Sequence, residues 1–292
     1  MKVRYSVEHE TRYAYRVPVS QSWQLAHLTP KDLAWQKVLG HRLVIEPTPD
    51  ERREARDAFG NGVTHFAMHG PHPLLRVLMS CEVEVSDRPD PRQVEAGTWE
   101  AVREAVVEAP MQDSLHAVRM VEPTALVPWS EAARAYAEPS FAAGRDWLDA
   151  VTDLMHRIHG DFEFDADTTT VTTSVDEALE LRSGVCQDFA HVMLACLRSR
   201  RLPARYVSGY LLTDPPPGGK RLLGADASHA WVAAYSPQHG WVEFDPTNDH
   251  LADRRYITLA SGGDFADVVP LRGVILGGRG QKMSVAVSVI PH

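Results

Sequence analysis

The sequence is short of cysteine, of excess positive charge and of long apolar runs, and each shortage closes a class of explanation. Three cysteines in 292 residues, Cys81, Cys186 and Cys196, make a poor disulfide framework. Cys186 and Cys196 fall on one predicted helix, roughly 15 Å apart along its axis, which is beyond disulfide reach. Free thiols in a reducing compartment are expected, and with them a cytoplasmic location. Lys and Arg number 30 against 39 Asp and Glu, a formal net charge of −9. That balance argues against nucleic acid or an anionic membrane as the main partner. No apolar run is long enough to span a bilayer. The opening MKVRYSVEHE alternates polar and apolar residues and has no apolar h-region, so no signal peptide is expected. There is no internal repeat and no low-complexity tract.

What is present is the composition of an ordinary globular protein: 44% hydrophobic and 24% charged residues, enough to bury a sizeable core in one large domain or two smaller ones. Residues 1–88 read as β-rich. Val3, Tyr5 and Val7 alternate with polar residues, and Tyr13, Tyr15 and Val17 continue the same parity. "FGNGVTHF" carries a turn signal between two strand-like runs. "LRVLMSCEVEV" places Leu75, Val77, Met79, Cys81, Val83 and Val85 on one face, which makes Cys81 a core residue. "SDRPDPRQ", residues 86–93, is a linker candidate, so a boundary falls near residue 88 and a second domain is expected over 89–292.

The period then turns helical. In "DWLDAVTDLMHRIHG", Trp147, Val151, Leu154 and Ile158 form one apolar stripe, Asp146 can cap the start, and Gly160 can end the helix. Ser174 and Glu177 have the spacing of a capping box. "CQDFAHVMLACLRSRRLP" predicts a helix with a buried stripe of Phe189, Val192 or Met193, Cys196 and Leu197, stopped by Pro203. Strand-like segments follow, among them "ARYVSGYLL", "HAWVAAYS" and "GWVEFDP". Residues 213–226, rich in Pro and Gly, read as a loop flanking a functional cleft.

Cys186 stands out because it opens its helix just after Gly184. Unpaired N–H groups and the positive end of the macrodipole stabilise a thiolate there. Cys196, in the apolar stripe, has neither advantage. Asp188 works against a thiolate by its charge, unless it serves the free N–H groups of the first turn. A cysteine nucleophile needs a base, and the base an orienting acceptor. Residues 229–235 and 241–245 suit a hairpin around "SPQHG". If it is centred on Gln238, Trp231 faces Asp245 and His229 is the diagonal neighbour of Asp245. If it is centred on Pro237, the two pair directly. Either register puts an imidazole beside a carboxylate; a one-residue slip separates them.

The stretches "SGVCQDFAHVMLACLRSRRLPARYVSGYL", "ASHAWVAAY" and "GWVEFDPTN" resemble the three motif blocks of the transglutaminase-like superfamily, in the family's order, over about residues 150–250. "YSVEHETRYAY", "DAFGN" and "VEVSDRP" resemble the β-rich N-terminal region of its bacterial branch. The resemblance implies an α+β, papain-like core, in which a helix bearing the cysteine packs on an antiparallel sheet bearing the histidine and aspartate. By that resemblance Cys186 is the nucleophile, His229 the base and Asp245 the orienting acid. It implies a cysteine-dependent acyl transfer on peptide or protein amides through a thioester. Hydrolysis is the favoured outcome and transamidation the alternative. A scaffold that only binds peptide belongs to a different class, separable by whether Cys186 alkylates selectively.

Animal members of the family use calcium. No acidic loop here resembles an oxygen-rich calcium site, so no metal and no cofactor are expected. His65, His69 and His72 form the one competing metal pattern, broken by the Gly-Pro before His72. Gln187 is beside the nucleophile and is weighed as an oxyanion donor. Trp231 shares the face of His229 and Trp241 that of Asp245; each is either a cleft wall or core.

Overall fold

The computed structural model describes residues 2–108, 115–212 and 228–292. Five strands come first: β1 (Lys2–Thr29), β2 (Gln36–Glu46), β3 (Glu51–Arg56), β4 (Gly62–Met68) and β5 (His72–Ser86). Helices α1 (Trp99–Glu108), α2 (Leu115–Val118), α3 (Glu131–Ala137) and α4 (Trp147–Asp161) follow. A short strand β6 (Glu163–Phe164), helix α5 (Val175–Leu181), strand β7 (Ser183–Gly184) and helix α6 (Cys186–Ser199) come next. The remaining strands are β8 (Ala204–Leu211), β9 (Ser228–Ser236), β10 (Gly240–Asp245), β11 (His250–Leu251), β12 (Tyr256–Gly262) and β13 (Leu271–Pro291). The loop expected over 213–226 lies outside the described residues. Among the described residues no helix is long and apolar enough to cross a membrane.

The first sheet has the order β2-β5-β1-β4-β3, and β13 runs along the other edge of β1. The alternation in β5 is observed as expected: Leu75 through Val85 at odd positions are buried. In β1 the inward parity starts odd, with Tyr5, Val7, His9 and Thr11 buried. A register shift against β13 between Val19 and Gln21 then moves it to the even positions Ser22, Gln24, Ala26 and Leu28. One extra residue in a strand inverts the face of all that follow. Val17, expected inward, lies just before that shift and is exposed. The pairing of β13 with β1 brings the chain's last strand back to the first sheet, although the sequence reading grouped it with residues from 89 onward. Its partner residues on β1 are more than 240 positions away, and no local pattern encodes such a pairing.

The second sheet, β11-β10-β9-β8-β12, is antiparallel throughout. Two side-chain amides tie it to the first. Gln36 donates to Thr258 O and accepts from Thr258 N, both at 2.8 Å; Asn61 does the same with Ser261 O and N, both at 2.9 Å. Each amide replaces a neighbouring strand along the free edge of β12, satisfying backbone groups that would otherwise be buried unpaired.

Helix α4 carries the expected stripe, with Trp147, Val151, Leu154 and Ile158 fully buried, and Asp146 caps its start through Leu148 N at 2.8 Å. It runs to Asp161, past Gly160: that glycine stays in the helix, and Phe162 closes it by bonding to Ile158 O. The capping box of Ser174 and Glu177 is present at α5. Helix α6 is more deeply set than its stripe suggested. Every residue from Gln187 to Arg198 is buried, because α3, α4 and α5 pack around it while β8 and β9 close the remaining side. A helix enclosed on all faces has no solvent side to pattern. Leu194, with no exposed surface, lies at its centre. Leu194→Ala should therefore cost about 2–5 kcal/mol in a denaturant unfolding titration; a loss well under that range would contradict the tight enclosure of α6.

Candidate active site

Backbone placement comes first. The parallel pair β6–β7 fixes Gly184 against Phe164 just ahead of α6. Gly184 has φ +156°, and a Cβ there would sit 2.5 Å from the Asp188 carboxylate. Only glycine permits the chain to turn so close to that side chain. Asp188 answers the doubt raised by its charge: its Oδ2 accepts from Val185 N at 2.8 Å and from Thr169 Oγ1 at 2.7 Å. It serves the open first turn of the helix. Burial raises its carboxyl, partly offset by those two bonds.

The hairpin takes the register centred on Gln238: Trp241 pairs with Tyr235 and Phe244 with Val232. His229 is thus the diagonal neighbour of Asp245, and its Nε2 lies 2.7 Å from Asp245 Oδ2. Asp245 has no exposed surface, yet five donors converge on it. His229, Tyr256 Oη at 2.6 Å and Asn248 Nδ2 at 2.7 Å meet Oδ2. The backbone N–H groups of Thr247 (2.9 Å) and Asn248 (3.2 Å) meet Oδ1. Burial alone would raise this carboxyl, but the hydrogen bond and charge of His229, with Tyr256 and Asn248, outweigh it and hold it below the usual range. Tyr256 and Asn248 are the partners that sequence reasoning missed. Asn248 carried a signal, since an Asx turn after Asp245 brings a residue three positions on back to the carboxylate. Tyr256 carried none: it reaches across from β12, on the other side of the sheet.

Behind His229 lies Trp231, fully buried, stacked on the imidazole at 6.0 Å and meeting Tyr256 edge-on at 5.2 Å. Of the two readings left open for Trp231, it is core, the floor under the histidine. Gly209, paired with His229 across the strands, makes room for it: a Cβ at 209 would come within 2.7 Å of the indole. Trp241 is half-buried, against Tyr235 and Arg205. Gln187 donates its side-chain amide to Val171 O at 3.3 Å, and both residues line the cleft of Cys186.

Cys186 is half-buried, and its charge and polarity act on the His229 imidazole. With Nε2 engaged by Asp245, Nδ1 is the imidazole nitrogen left for the sulfur. Both residues line a cleft of about 450 Å³. One wall is the start of α6 with β8 and β9; the facing wall comes from the first sheet, through His9, Thr11 and Tyr13 of β1 and Met283 and Val285 of β13. Most of the lining is apolar. His9 is pushed down to about 4 by burial and stays neutral, bonded to Tyr210 and Thr11. Cys81 and Cys196 are buried elsewhere, their thiols pushed up to about 12 by burial. His69 bonds to Glu51 and His72 to Gly70 O, so these two histidines are spent separately. Among the described residues no group of three or more side chains is gathered as a metal site.

Burial disfavours charge on His229, but the hydrogen bond to Asp245 and the interaction with Cys186, with the charges of both, outweigh it and push the imidazole up to about 10. The unfolded chain releases that proton near 6.5. Between these values the folded state holds more protons, so stability falls as pH rises; the contribution is complete below about 6.5 and gone above about 10. Compared by urea unfolding across this window, the wild type should lose stability with pH relative to His229→Gln. Parallel profiles for the two proteins would contradict a charged imidazole at the site.

Comparison with known proteins agrees with this architecture. Residues 134–246 match the transglutaminase-like superfamily, and residues 5–84 match the bacterial transglutaminase-like N-terminal region. An uncharacterized protein of Mycobacterium tuberculosis is 40% identical over 297 residues, covering 99% of this chain and 93% of its own length. One from Mycobacterium leprae is 33% identical over 288 residues, covering 98% of each. A protein-glutamine gamma-glutamyltransferase of Pseudomonas aeruginosa is 38% identical over 87 residues, which is 29% of this chain and 13% of that protein. The solved structure of a proposed cysteine protease from Cytophaga hutchinsonii shares the fold, with a TM-score of 0.78 at 19% identity, over 100% of this chain and 91% of that one. The cysteine-bearing helix, the antiparallel sheet behind it and the β-rich N-terminal region are those of the family: the chain belongs to the transglutaminase-like superfamily, in its bacterial branch.

Proposed function

We propose that this protein is a cysteine-dependent enzyme that cleaves an amide of a peptide or protein through a thioester, with water as the usual acyl acceptor. One observation supports the reading: Cys186, at the start of α6, and His229 line the same cleft, and Asp245, buried behind it, holds the His229 imidazole through Nε2.

In this reading the Cys186 sulfur attacks the amide carbonyl as a thiolate. The oxyanion that forms is met by the N–H of Cys186, one of the helix donors without an intrahelical acceptor. The C–N bond breaks as His229 gives its Nδ1 proton to the departing amine. Water then attacks the thioester and passes a proton to His229; the acid leaves and the sulfur is restored. Asp245 keeps the Nε2 proton in place, so that Nδ1 is the atom that exchanges protons with the substrate. Residues from 89 to the end of β12 carry this chemistry, and the first sheet shapes the substrate groove.

Hydrolysis is favoured by concentration and by the lining. Water stands at about 55 M against any amine. The described cleft residues offer no carboxylate to receive the ammonium of an acceptor lysine. Amine transfer is the second reading, supported by the similarity of 29% of this chain to the Pseudomonas aeruginosa glutamyltransferase.

Two measurements follow. Limiting iodoacetamide with peptide mapping should label Cys186 well ahead of Cys81 and Cys196; preferential labelling of Cys196 would remove the proposed nucleophile. A peptide library read by mass spectrometry, with and without a lysine-containing acceptor, should give chiefly hydrolysed products. Cys186→Ala should abolish them, while Asp245→Asn should lower kcat by about 10⁴-fold. Turnover that survives in Cys186→Ala would refute the mechanism, and a dominant cross-linked product would select transfer over hydrolysis.

A further inference from the structure

A different part of the second sheet holds a cation that, among the described residues, has no carboxylate in contact with it. Arg205 on β8 pairs with Ala233 on β9, which in turn pairs with Glu243 on β10. Its guanidinium lies over the Trp241 ring, 4.2 Å from the centroid. Its Nε is buried with no acceptor, and among the described residues no carboxylate comes within ion-pair distance of it. Glu243 acts on it by charge from a distance only, while its Oε2 accepts from Arg88 Nε at 3.1 Å and Nη2 at 2.9 Å.

A second cation stands nearby. The Lys31 ammonium bonds to Phe59 O (3.1 Å), Asn61 Oδ1 (2.9 Å) and Ser261 Oγ (3.3 Å), all of them uncharged acceptors. Asp57 is close in charge but not in contact. Its carboxylate is taken up by Phe59 N, Asn61 N and Asn61 Nδ2. Burial, and then the charge of Arg205, push Lys31 down to about 8, and burial pushes Arg205 down to about 10. A desolvated charge left unpaired is costly, and a site that retains one gains most when an anion arrives.

There is room for that anion. Arg205 and Ser261 open on a pocket of about 350 Å³ with walls of Phe59, Met120 and Trp241. Stacking on Trp241 fixes the plane of the guanidinium, and a planar fork of N–H donors matches a carboxylate edge-on. Ser261 accepts from Lys31, so its own hydroxyl proton is free to point inward. The apolar walls suit a hydrophobic group attached to the anion, and the volume lies at the small end of ligand pockets.

We propose that this pocket is a binding site, separate from the Cys186 cleft, for a carboxylate adjoining an apolar side chain, as in an acylated amino acid or the C-terminal residue of a peptide. It does not depend on the reaction assigned to the cleft.

The test uses the full chain as Cys186→Ala, so that no probe is turned over. Calorimetry is run with N-acetylphenylalanine, its amide, a peptide ending in free phenylalanine, the amidated peptide, and inorganic phosphate. The acid or the free peptide should bind and its amide bind at least about ten-fold more weakly, the loss of one charge-assisted contact. Which of the two carboxylates binds more tightly identifies its source. Arg205→Gln should weaken binding by a similar factor. Because that substitution touches the sheet, Met120→Trp, which fills the pocket from its wall, is the second variant and should abolish binding in a folded chain. Equal binding of acid and amide, tighter binding of phosphate than of either carboxylate, or binding unchanged in Met120→Trp would overturn the proposal.

Discussion

A carboxylate with no exposed surface has to be answered by donors, and Asp245 is answered by five. Each of those donors fixes a piece of the fold. Tyr256 ties β12 to the far end of the sheet, Asn248 and Thr247 bend the chain after β10, and His229 is held at a single angle on β9. Removing the carboxylate would leave buried hydroxyl, amide and imidazole groups without an acceptor, a larger loss than the bonds themselves suggest. The orientation of the imidazole toward Cys186 is thus a consequence of satisfying a buried charge, and Trp231 beneath the ring removes the remaining freedom.

The two halves of the cleft reach each other by a different route. Gln36 and Asn61 act as substitute strand edges for β12, so the first sheet is locked to the second by side-chain bonds to backbone groups as well as by apolar contact. That lock places β1 and β13 opposite the start of α6 and makes them the second wall of the cleft. Asn61 also belongs to the turn that carries Phe59 and receives Lys31, so the same joint shapes the Arg205 pocket. One interface between sheets therefore sets two concave surfaces, one mainly apolar and one cationic.

Much of this was legible in the residues. Strict alternation placed the inward face of β5, an Asp and a Ser-x-x-Glu marked the starts of α4 and α5, and the parity of β9 and β10 limited His229 and Asp245 to one face. The errors share a cause. The end of α4, the full enclosure of α6 and the exposure of Val17 each depend on what packs from outside the segment. The half-buried faces of β5 and α4 leave a periodic trace, whereas an element surrounded on every side, or one shifted by an extra residue, does not.

By itself the sequence determined the local terms: which residues cap, which alternate, and that a cysteine would head a helix. These depend on neighbours within a few positions, and the chain carries them wherever it goes. Only the tertiary structure decided that β13 returns to β1, that Tyr256 crosses the sheet to reach Asp245, and that Arg205 comes to rest on the Trp241 ring. Such outcomes depend on groups far apart in the chain competing for the same buried donors and acceptors, and that competition is resolved only when the two sheets close on each other.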